Sequence, residues 1–303
     1  MKFSRRRFLL IVNSIAVAAL LVLVVGSGLP VSANKEQPVL TRKPAAGANA
    51  FVRRVFTNGQ GQSLAYYLYV PYDYSPERSY PLVLVLHGGG EHSKPNWTAA
   101  QNRAVILDKN YVQVWEPGYA VSYNPQVQQH WPAFVVVPQL PQGQQWVNVS
   151  VHGGSYRQPA QPATALLLTK ELLAALQKQY SGIDANRLYI TGISLGGYGV
   201  WDAIERWPDY FAAAIPIAGA GDPSKAAVLV HLPIWAFQGS KDQIVPISGS
   251  RNMIAAIRAA GGHPLYTEYP GAAHEVWPFT FSTTGNARQN TPGVLAWLFA
   301  QHK

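Results

Sequence analysis

Gly192-Ile193-Ser194-Leu195-Gly196-Gly197 sets a serine among glycines where an apolar run, Leu188-Tyr189-Ile190-Thr191, gives way to a stretch, Tyr198 to Arg206, that reads as a helix. A serine on so tight a strand-to-helix turn projects its hydroxyl above a sheet, and the helix start behind it offers N–H groups to an anion. Serine is a weak nucleophile until a base takes its proton and a third group orients that base. Downstream lie the acids Asp202, Glu205, Asp209, Asp222, Asp242, Glu268 and Glu275 and the histidines His231, His263, His274 and His302. Asp202, Glu205 and Asp209 fall in or just past the helix after the serine. Asp242 leaves the run Ile234 to Gly239 through Ser240-Lys241, which puts its carboxylate at the carboxyl end of the strands; Asp222 follows another strand end and competes with it. His274 lies in the loop Pro270-Gly271-Ala272-Ala273-His274 after the run Leu265 to Tyr269 and reaches the same edge, whereas His231 and His263 precede their strands. The expected chemistry is attack by Ser194, proton transfer through His274, and orientation and charge stabilisation by Asp242.

An attacked carbonyl also needs donors for its developing negative charge. Leu86-His87-Gly88-Gly89-Gly90 leaves an apolar strand and enters glycines whose N–H groups can approach a substrate closely. One N–H from Gly88 or Gly89 and one from Leu195 would form the oxyanion hole. No Gly-Lys-Ser/Thr follows these glycines, which argues against a phosphate cradle. Tyr198, Trp146, His152 and Trp277 lie near these motifs or in a covering segment and are the candidate substrate-binding side chains.

The elements that must position these groups alternate. Phe51 to Thr57 and Leu64 to Val70 flank Asn58-Gly59-Gln60-Gly61, a hairpin signal. Leu82 to Leu86, Phe134 to Val137, Arg187 to Gly192, Ala212 to Ala218, Ile234 to Gly239 and Leu265 to Tyr269 are short apolar runs suited to parallel strands covered on both faces. Ala163 to Tyr180 and Ser248 to Ala260 repeat apolar residues at helical spacing, the second closed by Gly261-Gly262. The pattern predicts an α/β protein with a mostly parallel sheet and helices on both faces. Residues 91–162, rich in Trp, Gln and Pro and broken only by the Phe134 strand, are expected to contain a cover over the pocket.

Composition narrows the field. Of 303 residues, 48% are hydrophobic and 13% charged, which excludes a disordered chain. The formal charge is +9, but Lys2, Arg5, Arg6 and Arg7 carry four of those charges, leaving +5 without a basic run elsewhere. Nucleic acid is therefore not an expected partner. Without cysteine there is no disulfide, no thiolate nucleophile and no cysteine-ligated metal, and the histidines form no close helical pair. No metal and no cofactor is implied, and the chain gives no indication of oligomeric state.

Residues 1–33 read as an export signal: basic residues, an apolar stretch from Phe8 to Val25, then Val31-Ser32-Ala33 with small residues at a cleavage position. Ser4-Arg5-Arg6-Arg7-Phe8-Leu9 resembles the twin-arginine motif. Uncleaved, Phe8 to Val25 is long enough to anchor the chain in a bilayer about 30 Å thick, the one membrane contact expected. Either way residues 34–50, a Lys/Pro/Ala/Gly linker, and the domain at 51–303 are expected outside the cytoplasm, in the periplasm or medium.

Ser194, Asp242, His274 and His87 to Gly90, with Gln238-Gly239-Ser240-Lys241-Asp242 and Tyr269-Pro270-Gly271-Ala272-Ala273-His274, closely resemble the α/β-hydrolase superfamily over residues 51–303. The resemblance is nearest to its secreted esterases: phospholipase/carboxylesterase, feruloyl esterase, polyhydroxybutyrate depolymerase-like and "predicted peptidase" proteins. Pro138-Gln139 followed by Trp146 is similar to a pattern of the carboxylesterase and predicted-peptidase groups. The resemblance implies an α/β-hydrolase fold on a sheet of the eight-stranded type. It also implies a serine esterase acting on small-molecule or polymer-attached esters. A serine peptidase of the same fold is the alternative, and a non-catalytic polymer-binding protein that keeps the fold is the alternative of another class.

Overall fold

The computed structural model describes residues 51–116, 127–151, 153–281, 291 and 293–303. The leader, the linker and His152 lie outside the described residues. Eight strands form one sheet: β1 (Val52–Thr57), β2 (Ser63–Tyr69), β3 (Tyr80–Leu86), β4 (Phe134–Gln139), β5 (Ile183–Ile193), β6 (Ala213–Ile217), β7 (Trp235–Gly239) and β8 (Leu265–Tyr269). Their order is β1-β2-β4-β3-β5-β6-β7-β8. The Asn58–Gly61 turn joins β1 and β2 as an antiparallel hairpin, β2 runs antiparallel to β4, and the remaining pairs are parallel.

Among the described residues, eight α-helices accompany the sheet: α1 (Ala99–Leu107), α2 (Asn110–Gln113), α3 (Val127–His130), α4 (Thr164–Gln179), α5 (Leu195–Arg206), α6 (Ser248–Ala259), α7 (Trp277–Thr280) and α8 (Val294–Phe299). Successive residues of β3 point to opposite faces. Leu82, Leu84 and Leu86 pack with the apolar sides of α4, α5 and α6, while Val83 and Val85 pack with α1, α2 and α8. A strand covered on both faces has no polar side, so the unbroken run in β3 is what this layering requires. α5 is buried along nearly its whole length, from Leu195 to Glu205. That burial holds its N-terminus rigidly against the sheet.

The described residues of the 91–162 segment carry regular elements. They supply α1, α2, α3 and β4, the last placed between β2 and β3. The buried side chains of Trp115 and Trp146 enter the cores on opposite faces of the sheet, and Trp131 stacks on Phe299 with ring centroids 5.2 Å apart. Tryptophan occurs here because large apolar surface must be buried by a segment with few aliphatic residues.

Candidate active site

Parallel strands deliver their following loops to one edge, and in such sheets ligands sit there. The turns after β3, β5, β7 and β8 carry the glycine run, Ser194, Asp242 and His274 in that order.

Ser194 directly follows β5 and has φ 53° and ψ −117°, a left-handed conformation that a residue with a Cβ rarely adopts. Its N–H is tied to the Ile217 carbonyl at 2.9 Å. The turn is so tight that a Cβ on Gly196 would lie 2.1 Å from the Leu86 carbonyl oxygen, which accounts for glycine there. Strand, strained serine and helix thus lift the Ser194 hydroxyl free of the backbone. His274 Nε2 is 2.8 Å from Ser194 Oγ, and His274 Nδ1 is 2.8 Å from Asp242 Oδ2.

Asp242 is held from all sides. Its Oδ1 accepts from the Ile244 and Val245 N–H groups, each at 2.9 Å, and its Oδ2 also accepts from Gln238 Nε2 at 2.6 Å. Burial pushes this carboxyl up, but the hydrogen bonds from His274, Val245 and Ile244 outweigh it and hold the pKa below the usual carboxylate range. The acid and base loops are laced together: Lys241 N–H donates to the Ala272 carbonyl at 2.8 Å and Gly271 N–H to Ser240 Oγ at 2.7 Å. A Cβ on Gly239 would meet the Ala273 carbonyl oxygen at 2.0 Å, so glycine permits the approach that aligns Asp242 with His274.

Asp222 lies elsewhere. Its carboxylate caps the 3-10 turn Pro223–Leu229 through Ser224 and accepts from the Gln158 N–H at 2.8 Å. It anchors the 155–161 loop rather than the histidine.

The glycine run is pinned from below. His87 is fully buried, with Nδ1 donating to the Gly88 carbonyl at 2.7 Å and Nε2 accepting from the Leu140 N–H at 2.9 Å. Burial lowers its pKa to about 3, so the ring is neutral. Trp146 Nε1 donates to the His87 carbonyl at 3.0 Å, and its buried ring packs edge-on against His87. Trp146 is therefore buried beneath the glycine run and lines neither of the clefts at Ser194. Behind Gly88 lie Glu91 and Tyr111, toward which the Gly88 N–H is turned. Burial raises the Glu91 carboxyl, against the pull of Lys109 at 3.7 Å and of the Tyr111 and Gly88 groups. The Gly88 N–H is thus occupied, while Gly89 and Leu195 line one cleft together with Ser194.

Two clefts meet at Ser194 and Gly89. One, of about 720 Å³, contains His274, Glu275, Trp277, Lys109, Asn110 and Glu91. The other, of about 330 Å³, is walled by Leu195, Tyr198, Val151, Ile244, Val245 and His92. Trp277 stands edge-on to His274, with ring centroids 5.6 Å apart. Of the four candidate substrate-binding side chains, Tyr198 and Trp277 line clefts, Trp146 does not, and His152 is not among the described residues. A further hollow of about 790 Å³ along residues 143–151 and 163–165 contains none of the reactive groups. Gln238, fully buried, escaped sequence reasoning although it opens the Gln-Gly-Ser-Lys-Asp run; Ser250 Oγ donates to its Oε1 at 2.8 Å. Among the described residues no group of His, Asp and Glu side chains is arranged to hold a metal, and no helix is long and apolar enough to cross a membrane.

A family model described as "Putative esterase" matches residues 57–259, more than half of the chain. The chain belongs to the Esterase family. Among solved structures it is similar to a thermostable esterase, at 34% identity and TM-score 0.64, over 84% of this chain and 64% of that one. It also superimposes on the feruloyl esterase module from Clostridium thermocellum complexed with sinapinate, at 19% identity and TM-score 0.53, over 86% and 91% of the two chains. A stretch of 178 residues is 25% identical to endo-1,4-beta-xylanase Y of Acetivibrio thermocellus, covering 58% of this chain and 15% of that protein. The chain thus spans a small part of the xylanase and under two thirds of the thermostable esterase. The esterase family and the thermostable esterase place the chain in the α/β-hydrolase superfamily, with the fold seen here.

Proposed function

We propose that this Esterase-family member is an exported serine esterase that cleaves carboxylic esters through an acyl-serine intermediate. The observation that carries the reading is the unbroken relay from Ser194 Oγ through His274 to Asp242, with both links at 2.8 Å. His274 takes the Ser194 proton as Oγ attacks the ester carbonyl, and Asp242 keeps Nδ1 protonated and stabilises the imidazolium. The Gly89 and Leu195 N–H groups receive the oxyanion. As the tetrahedral intermediate collapses, the carbon–oxygen bond to the alcohol breaks and His274 Nε2 delivers its proton to the leaving oxygen. Water, deprotonated by the same nitrogen, then releases the acid.

Direction follows from that proton. The leaving oxygen must sit on the His274 side, so the 720 Å³ cleft takes the alcohol. The acyl group enters the 330 Å³ cleft, where Leu195, Tyr198 and Val245 offer apolar surface. Export rests on the leader sequence of residues 1–33. The esterase reading is tested with p-nitrophenyl acetate: wild-type protein hydrolyses it and Ser194→Ala loses at least about 10³-fold in kcat. Comparable activity in the variant sinks the proposal.

A further inference from the structure

His92 joins the glycine run to a second loop, and both of its ring nitrogens face acceptors. Nδ1 lies 2.8 Å from the Gly89 carbonyl oxygen, and Nε2 lies 2.7 Å from the Gln144 carbonyl oxygen. A carbonyl oxygen only accepts. A neutral imidazole has one N–H and one bare nitrogen, so it satisfies one of these contacts and sets a lone pair against the other; an imidazolium donates to both. The groups facing the ring fit a positive charge. His87, edge-on with ring centroids 5.5 Å apart, is neutral because of its burial. Glu91 is the neighbouring acid, with Lys109 3.7 Å from its Oε1. On the cleft side burial pushes the Tyr198 phenol up to about 12, which leaves it uncharged, and the other described residues of that wall carry no charge.

The tie falls where the loop has least support. The Gly88 carbonyl is held by His87, and Ser93 is fixed by its N–H on the Leu140 carbonyl at 2.8 Å and by the Gln142 N–H on its own carbonyl at 3.0 Å. Between them Gly89 and Gly90 pack against nothing, since a Cβ on either would meet no atom within 4 Å. Unpacked glycines readily leave the conformation that presents the Gly89 N–H to the oxyanion. We propose, on the basis of the serine-esterase reading above, that His92 is a positioning residue working as an imidazolium clamp, its two N–H groups tying the oxyanion loop at Gly89 to the neighbouring loop at Gln144. The clamp is complete while the ring holds its second proton, and one of its two ties is lost when rising pH removes that proton. His274 works in the opposite sense, because it must be neutral to take the Ser194 proton.

Wild type and His92→Gln, which keeps an amide donor but does not titrate, are compared by kcat and KM on p-nitrophenyl acetate from pH 6 to pH 9. Protonation of His274 slows both proteins alike and cancels in the ratio of their kcat values. That ratio is expected to favour wild type by roughly tenfold or more at pH 6 and to fall below about threefold at pH 9, with KM changing less than about threefold. A ratio constant across the range, or near one throughout, overturns the inference. Should His92→Gln fail to fold, proton–nitrogen NMR of the wild-type His92 ring at pH 6 decides: two ring N–H protons slowed in exchange by their hydrogen bonds sustain the clamp, and one or none overturns it. If wild type hydrolyses no ester, the serine-esterase reading itself fails, and the ring spectrum, which needs no substrate, still decides whether the clamp exists.

Discussion

Gln238 Nε2 donates to Asp242 Oδ2 at 2.6 Å, on the same oxygen that faces His274. The amide is fully buried, and its own Oε1 is fixed by Ser250, so the donor has no freedom to turn away. A carboxylate held in this way cannot rotate, and the imidazole it orients cannot drift from Ser194. In the mechanism proposed above, Gln238 is a positioning residue that acts only through Asp242. Gln238→Leu is expected to lower kcat roughly 10–100-fold with KM nearly unchanged, the loss of one hydrogen bond to a charged group. A matching rise in KM, or full activity, contradicts this role.

Gly239 tests the same alignment from the backbone side. Gly239→Ala places a methyl group against the Ala273 carbonyl and must displace the loop that carries His274. An ångström of misplacement suffices for a loss of about 10²-fold in kcat. Steady-state kinetics alongside circular dichroism separates this from unfolding: native spectra with near-wild-type kcat would refute the close approach as a catalytic requirement.

How much of this was legible in the chain follows from these residues. The strand runs, the Gly192–Gly197 turn and the order Ser194, Asp242, His274 each occupy one short stretch, and local pattern is what sequence displays. Eight strands and the relay follow from it. The roles of Trp146 and Gln238 depend on partners brought close only by folding, such as His87 for Trp146 and Ser250 for Gln238. Likewise nothing near Gly88 in sequence shows that Tyr111 turns its N–H aside, and an aromatic in a loop reads alike whether it faces substrate or core.

His87 ties acid stability to the oxyanion loop. Its folded pKa of about 3 lies below the ordinary histidine value near 6.5, so the unfolded chain binds a proton that the folded one refuses. The stability it contributes is complete above about pH 6.5 and is lost as pH falls toward 3, roughly 4–5 kcal/mol across the window. Carboxylates with lowered pKa values, Asp242 and Asp222 among them, add their loss only below about pH 4. Urea unfolding at pH 7, 5.5 and 4.5 is therefore expected to show the midpoint falling, with a shallower fall in His87→Gln. Equal slopes in both proteins refute the assignment.

Glu205 predicts the opposite trend toward alkaline pH. Burial beside Asp202 and Asp222 raises its carboxyl well above the glutamate value, although the Asp222 N–H donates to it at 2.9 Å. The folded protein holds a proton that the unfolded chain releases, so this contribution is present below about pH 4.3 and is lost as pH rises toward the elevated folded value. Glu205→Gln retains an acceptor for Asp222 and removes the ionisation. At pH 8 the variant is expected to be more stable than wild type, with the advantage shrinking at pH 5. Thermal melts at the two pH values check it, and an advantage independent of pH would exclude this cause.

Everything in the mechanism passes through one covalent bond at Ser194. The most direct measurement is mass spectrometry of enzyme quenched in acid during turnover of p-nitrophenyl acetate, followed by peptide mapping. The account predicts one acetyl group per chain, located on Ser194 and absent from Ser194→Ala. Acetyl carried at another residue, or steady turnover by Ser194→Ala without any acylated intermediate, would contradict it.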